Sequence, residues 1–265
     1  TGLSTDAITL ATRLRDTGYS TSAVGKWHLG SAQGQHPLDV GFDHFTGLLR
    51  GARPYFPQIK KAPNSLVRIE RDREIVPESS FAYITDLFTA EAVRMISEHE
   101  GGRPLFLYLS YTAPHTPMHG REDLMERFAG SIPDEKRRKY AAMVTALDEG
   151  VAAVTEALRE KGMLENTLLF FLSDNGGATT NASDNGRWRG MKGSKWEGGH
   201  RVPFLVHWPA ELPSGTTYCF PVSSMDITPT ALAAAGTDSA KGLDGVDLRP
   251  YLLGKAGRPH QRLYW

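Results

Sequence analysis

Cysteine is nearly absent from this sequence of 265 residues, in which Cys219 is the only one. A single cysteine excludes any disulfide within the chain, so cysteine usage does not indicate a redox compartment. An excess of charge of one sign is also lacking, because 30 Lys and Arg residues balance 30 Asp and Glu residues. The overall charge therefore gives no support for a nucleic-acid or membrane-surface partner, and we expect no nucleic-acid partner.

Long apolar runs are lacking as well. None approaches the roughly 20 residues that a membrane-spanning helix needs, so we expect no membrane span. The chain has no initiator Met and no visible signal peptide at Thr1, and it stops on the apolar sequence Leu263-Tyr264-Trp265. We therefore interpret it as a fragment that is truncated at both ends.

Short apolar segments alternate with amphipathic segments along the chain. Buried strands are predicted at four apolar runs, residues 20–24, 105–111, 167–172 and 202–208. Helices are predicted where apolar residues recur three and four apart or where Pro and Gly mark the ends, at 8–16, 81–99, 134–161 and 228–235. This order predicts an α/β sheet with helices on both faces. Residues 31–78, rich in Gly, Pro and charge, are predicted to be a long excursion with little regular structure.

Polar side chains follow the predicted strands, which is where ligands bind in open α/β sheets. Lys26 and His28 follow the first strand, His115 follows the second, and Lys192 lies in a glycine-rich loop before the fourth. If they converge, they form a cationic pocket suited to a tetrahedral oxyanion such as sulfate or phosphate. A histidine also suits the protonation of a leaving alkoxide. Taken singly, each Lys is more often a solvated surface residue and each His more often a structural one.

Asp174 and Asn175 follow the third predicted strand with a carboxylate and an amide oxygen. Such hard oxygen ligands suit Ca²⁺ or Mg²⁺ rather than zinc. Two are too few by themselves, because Ca²⁺ takes roughly 6 to 8 oxygen ligands. The alternative is that Asp-Asn-Gly-Gly is simply a turn. Nearby, Asn181-Ala182-Ser183 matches a glycosylation sequon, a tripeptide that is common by chance.

Several segments resemble the sulfatase family, within the alkaline-phosphatase-like superfamily, in both order and spacing. They are GKWHLG at 25–30, GFD at 41–43, APHTP at 113–117, SDNG at 173–176, the KG…WEGG.RVP stretch at 192–203 and DG..L at 244–248. The resemblance covers nearly the whole chain. It implies a three-layer αβα sandwich with a mostly parallel central sheet, of which residues 1–265 would be a partial catalytic domain.

The resemblance also implies roles for individual residues. Asp174 and Asn175 would be two ligands of one divalent cation, Ca²⁺ rather than Mg²⁺. Lys26 and His28 would hold and polarise the nucleophile and the sulfate group. His115 and Lys192 would bind the sulfate ester, and one of them would help to protonate the leaving oxygen. Lys195 does not match the family's sulfate-binding position.

The sequence departs from the family in lacking its nucleophile, a formylglycine made from Cys or Ser in a C/S-x-P-S/A-R motif. Cys219 lies far downstream and without the Arg, so it does not match. The family's paired N-terminal aspartates are missing too. We expect both features upstream of Thr1, with the family's small C-terminal subdomain beyond Trp265. The 265 residues alone are therefore expected to show no turnover.

The function implied for the full-length protein is hydrolysis of a small-molecule or glycan sulfate ester with release of inorganic sulfate. The alternatives are a phosphoester or phosphonate hydrolase of the same superfamily and a non-catalytic binder of sulfated ligands. The residue at the nucleophile position would discriminate among the three. The resemblance favours a periplasmic or secreted location, whereas substrate identity and oligomeric state do not follow from the sequence.

Overall fold

The structure, a computed structural model, describes residues 2–59, 67–237 and 242–264. The chain divides into two compact units. The first unit comprises Thr1–Leu158 and Gly177–Asp184, and the second comprises Arg159–Gly176 and Asn185–Trp265. The interpretation of residues 1–265 as one partial catalytic domain stays a prediction.

The first unit is built on a five-stranded mixed sheet. Its strands are β1 (Ser20–Lys26), β2 (His44–Leu48), β3 (Glu70–Arg71), β4 (Glu74–Ile75) and β5 (Leu105–Ser110). Their order across the sheet is β4-β3-β2-β1-β5. β1 pairs in parallel with both β2 and β5, whereas β2, β3 and β4 pair antiparallel. The middle five residues of β1 are buried, as expected of a central strand.

The segment 31–78 is more regular than the sequence predicts, because it contains β2 and the short hairpin β3–β4. β2 lacks a recognisable strand pattern since Gly47 interrupts its five residues. The glycine is needed there, because a Cβ at Gly47 would lie 1.9 Å from the carbonyl oxygen of Gly25 on β1. The prediction of little regular structure was therefore wrong for this part of the segment.

Helices cover both faces of this sheet. They are α1 (Leu10–Asp16), α2 (Ile84–Ser97), α3 (Glu122–Arg127) and α4 (Glu135–Glu160). One apolar cluster packs α2 and α4 against Val24 of β1, and another packs α1 against Ala23. Because successive strand residues point to opposite faces, α1, the sheet and the α2–α4 pair form three layers. The predicted α/β fold with flanking helices is confirmed, and its sheet is mixed.

The second unit contains two strands and three short helices within the residues that the structure describes. They are β6 (Leu169–Leu172), β7 (Phe204–His207), α5 (Glu197–His200), α6 (Ile227–Ala234) and α7 (Arg249–Leu252). β6 and β7 pair antiparallel, with Leu172 opposite Phe204. The end of β6 therefore lies beside the start of β7, which places the loops at these two points at the same end of the pair.

Asp226 is fully buried in the second unit and joins three segments. Its carboxylate accepts hydrogen bonds from the backbone N–H of Ser223 (2.7 Å) and of Val246 (2.9 Å). It also bonds to Nε2 of His260 at 2.8 Å. These contacts connect the turn before α6 with the DG..L turn, one of the segments recognised in the sequence.

Among the helices of the described residues, none combines the length and the apolar character that crossing a membrane requires.

We expect the substitution Asp226→Ala to destabilise the protein by about 3–5 kcal/mol, because it leaves the partly buried His260 and two backbone N–H groups without their acceptor. The matched control is Asp247→Ala, which removes a partly exposed carboxylate paired with Arg249 and should cost about 1 kcal/mol or less. Urea unfolding followed by circular dichroism measures both. Equal losses for the two variants would contradict the prediction.

Candidate active site

Lys26, His28 and His115 belong to one end of the sheet in the first unit. Lys26 is the last residue of β1 and is half-buried. The parallel register places Gly25 opposite Ser110, the last residue of β5, and His115 follows a few residues later. Because parallel strands end at the same edge of a sheet, the fold brings these three predicted residues to one edge.

Gly25 allows β1 to approach β5 closely at this edge. Its φ angle is 110°, in the region that favours glycine, and a Cβ there would lie 2.0 Å from the carbonyl oxygen of Ser110. Any side chain at this position would push apart the two strand ends that carry Lys26 and His115.

The residues after β1 remain bonded to the segment that follows β2. The backbone N–H of Trp27 donates to the Leu48 carbonyl at 3.0 Å, and that of His28 donates to the Leu49 carbonyl at 3.1 Å. The buried Trp27 indole donates to the Gln35 carbonyl at 2.8 Å. These bonds fix the backbone on which the exposed His28 side chain stands.

His28 has a φ angle of 56°, a left-handed conformation that is costly for a residue with a side chain. Its ring lies against Gly51, where an added Cβ would come within 2.5 Å of the ring carbon Cε1. Strain of this kind persists where the surroundings enforce it and concentrates at functional sites. The observation supports a functional role for His28.

His115 is half-buried and its ring is oriented by its own loop. Nδ1 lies 2.6 Å from the carbonyl oxygen of Thr116. Since a carbonyl can only accept, Nδ1 carries a proton, and any further proton belongs to Nε2. The ring can therefore alternate between an acceptor and a donor at Nε2, which is what a general acid needs.

Asp174 and Asn175 lie directly beyond β6 in the second unit. The Asp174 side chain is exposed, and the Asn175 side chain is half-buried. The Asn175 amide nitrogen donates to the Gly176 carbonyl at 3.0 Å, which leaves Oδ1 as the atom able to bind a cation. Carboxylate and amide oxygens suit a hard divalent cation. No group of three or more His, Cys, Asp or Glu residues suited to a metal occurs in residues 2–59, 67–237 and 242–264.

Close glycine packing holds this turn against α5. The backbone N–H of Gly176 donates to the Gly199 carbonyl at 3.0 Å. A Cβ on Gly176 would lie 1.9 Å from the carbonyl oxygen of Gly198. The SDNG and WEGG segments, which are separate motifs in the sequence, are thus in direct backbone contact.

The loop that carries Lys192 is anchored to the same helix. Gly198 donates through its backbone N–H to the Arg189 carbonyl at 2.8 Å. Inside the loop, Met191 and Ser194 exchange hydrogen bonds of 3.1 and 2.9 Å. The Lys192 side chain is exposed, as is that of Lys195. α5 therefore connects the Lys192 loop with the Asp174–Asn175 turn within the second unit.

The predicted site residues fall into two sets, one in each compact unit. Lys26, His28 and His115 share a sheet edge in the first unit, whereas Asp174, Asn175 and Lys192 stand on loops joined by α5 in the second. Gly51 contacts His28 and Tyr55 contacts His115, but neither residue was predicted from the sequence. Both lie in the segment 31–78, where no motif marks them.

The resemblance to the sulfatase family is confirmed by comparison with known proteins. The family model named Sulfatase matches residues 2–237. The chain belongs to the sulfatase family. Arylsulfatase J of Mus musculus is 36% identical over 249 residues, which cover 92% of this chain and 42% of that protein. N-acetylgalactosamine-6-sulfatase of Canis lupus familiaris is 32% identical over 256 residues, which cover 91% of this chain and 48% of that protein.

A similar fold is present in the crystal structure of Ps i-CgsB in complex with k-i-k-neocarrahexaose. The TM-score is 0.90 at 37% sequence identity, over 98% of this chain and 60% of that chain. The present chain spans about half the length of the curated relatives it matches. Because the structural match extends over nearly the whole chain, the flanking helices and mixed sheet are identified as the sulfatase fold of the alkaline-phosphatase-like superfamily.

We expect Gly176→Ala to destabilise the second unit by at least about 1–3 kcal/mol, the usual cost of overpacking, because the new Cβ meets the Gly198 backbone. Gly257→Ala is the matched control in the same unit, since a Cβ there meets no atom within 4 Å. Urea unfolding with tryptophan fluorescence compares the two. If Gly176→Ala were as stable as Gly257→Ala, the close packing of the two motifs would be refuted.

Proposed function

We propose that the full-length protein containing this chain is a sulfuric ester hydrolase that releases inorganic sulfate from a small-molecule or glycan sulfate ester. Membership of the sulfatase family supports hydrolysis of sulfate esters. The observation that carries the proposal is the His115 ring, whose Nδ1 is bonded to the Thr116 carbonyl, so that Nε2 is the nitrogen able to give up a proton. Its loop follows β5, which pairs in parallel with β1, the strand that leads to Lys26 and His28. A glycan substrate is favoured because Ps i-CgsB was solved with k-i-k-neocarrahexaose.

In this proposal the side chains of the chain bind the ester and move its proton. Lys26 and Lys192 contribute positive charge toward the sulfate oxygens, which stabilises the charge that develops in the transition state. His28 polarises the nucleophile and the sulfate group. His115 donates the proton on Nε2 to the leaving oxygen, while its Nδ1–H stays bonded to the Thr116 carbonyl.

We further propose that Asp174 and Asn175 are two ligands of one divalent cation, Ca²⁺ rather than Mg²⁺. When bound, the cation would supply positive charge that neutralises the sulfate oxygens. The exposed Asp174 carboxylate and the Asn175 Oδ1 fit such an ion in donor type. The nucleophile, proposed to be a formylglycine, and the remaining ligands would come from outside the 265 residues.

The reaction is tested on the full-length protein with matched esters of one alcohol. We expect the sulfate ester to release sulfate faster than the phosphonate or phosphate ester reacts. His115→Ala should lower kcat on the order of 10²–10⁴-fold, the usual contribution of a general acid. Faster reaction of the phosphonate or phosphate would favour a phosphohydrolase, and binding without sulfate release would favour a non-catalytic binder. Either result would overturn the proposal.

The cation is tested by chelation and by substitution. We expect a chelator to abolish sulfate release by the full-length protein, and Ca²⁺ to restore it better than Mg²⁺. Asp174→Ala should lower the bound calcium measured by elemental analysis, because it removes a charged ligand. Asp148→Ala, an exposed carboxylate on α4, is the matched control and should retain the metal. Full calcium content in Asp174→Ala would rule out this ligand.

A further inference from the structure

Three consecutive carbonyl groups around His115 each accept a hydrogen bond from a side chain. The Pro114 carbonyl accepts from Nδ2 of Asn181 at 3.1 Å, and the His115 carbonyl accepts from the Tyr55 hydroxyl at 3.0 Å. The Thr116 carbonyl accepts from the His115 ring itself. The peptide planes on both sides of the His115 Cα are therefore fixed from outside the loop, which sets the direction of its side chain.

Asn181 is buried, and both ends of its side-chain amide are bonded. Oδ1 accepts from the backbone N–H of Ser183 at 3.1 Å, so Nδ2 is the end that faces Pro114. The surrounding turn is held by two more bonds, from the Ser183 hydroxyl to the Ala178 carbonyl at 2.6 Å and from Arg137 to the Ala182 carbonyl at 2.7 Å. The asparagine of the sequon therefore has a structural role, because its amide joins this turn to the Pro114 carbonyl.

Tyr55 reaches the loop from the segment that precedes β3. Its side chain is almost completely buried, and its ring packs against Tyr83 with centroids 5.5 Å apart. Burial raises the pKa of the Tyr55 hydroxyl well above its usual value near 10, so the group remains a protonated donor. Its backbone N–H donates to Nδ1 of His119 at 3.3 Å, which fixes the residue at a second point.

The geometry points to Tyr55 and Asn181 as positioning residues for His115. Neither touches the substrate. By holding the carbonyls of Pro114 and His115, they keep Nε2 of the ring where it can protonate the leaving oxygen. This inference rests on the proposed role of His115, and small displacements of a catalytic group are known to be costly.

Two isosteric substitutions in the full-length protein test the inference. Tyr55→Phe removes only the hydroxyl, and Asn181→Asp replaces the donor that faces Pro114 with an oxygen that cannot donate. The matched control for the first is Tyr83→Phe, because the equally buried Tyr83 donates to the His119 carbonyl at 2.7 Å, four residues beyond His115. The control for the second is Asn166→Asp, whose oxygen can still accept from the Trp208 indole.

The measurement is kcat and KM with two substrates, an alkyl sulfate that needs protonation of its leaving oxygen and 4-nitrophenyl sulfate that needs it little. We expect Tyr55→Phe and Asn181→Asp to lower kcat for the alkyl sulfate by about tenfold or more, because the acid is misplaced. For 4-nitrophenyl sulfate we expect a change of less than about threefold, with KM nearly constant for both substrates. The controls should show no such difference between the substrates.

His115→Ala, measured in parallel, separates the two hypotheses. If it leaves kcat for the alkyl sulfate unchanged, the proposed function of His115 fails. If it lowers kcat while Tyr55→Phe and Asn181→Asp behave like their controls, or lose activity equally on both substrates, the positioning role is overturned. Should Asn181→Asp fail to fold, Tyr55→Phe against Tyr83→Phe decides the question alone.

Discussion

The parallel pairing of β1 with β2 and β5 is the constraint on which the candidate site in the first unit depends. Gly25 permits it, because its backbone lies so close to the Ser110 carbonyl that a side chain could not be accommodated. Once the strand ends are in register, Lys26 and His28 on one strand and the loop of His115 on the next share an edge. The backbone of His28, with its φ angle of 56°, is tied to the same arrangement, since its N–H is bonded to the Leu49 carbonyl beyond β2.

The second unit uses glycine in the same way, but with antiparallel strands. Gly176 packs on the carbonyl of Gly198, which brings the Asp174–Asn175 turn against α5. The antiparallel pairing of β6 and β7 has already placed the end of one strand beside the start of the other. In both units, then, a backbone contact that only glycine allows sets the position of side chains whose chemistry suits an oxyanion or a hard cation.

Positive charge alone would not be enough for the proposed hydrolysis of a sulfate ester. A cationic lysine attracts a sulfate group, but proton transfer to a leaving oxygen requires a ring held at a defined angle. In this protein the His115 loop accepts bonds from its own ring, from Tyr55 and from Asn181, so its geometry depends on residues distant in sequence. The proposed general acid is thus supported by two hydrogen bonds whose donors, Tyr55 and Asn181, lie outside the motif at 113–117.

The α/β class and four strands and four helices close to their observed bounds could be predicted from the sequence, which also proposed the six candidate side chains. The spacing of apolar residues and the positions of Gly and Pro at the ends of elements are local properties of the sequence. They can therefore be recognised without knowledge of the tertiary structure. β2 was not predicted because Gly47 interrupts its strand pattern. The glycine is required there by the close approach of the Gly25 carbonyl on β1, which the local sequence does not reveal. Only the tertiary structure showed the mixed sheet, the contact of SDNG with WEGG and the bonds from Tyr55 and Asn181 to the His115 loop. These depend on atoms brought together from separate parts of the chain, and no short-range pattern records such contacts.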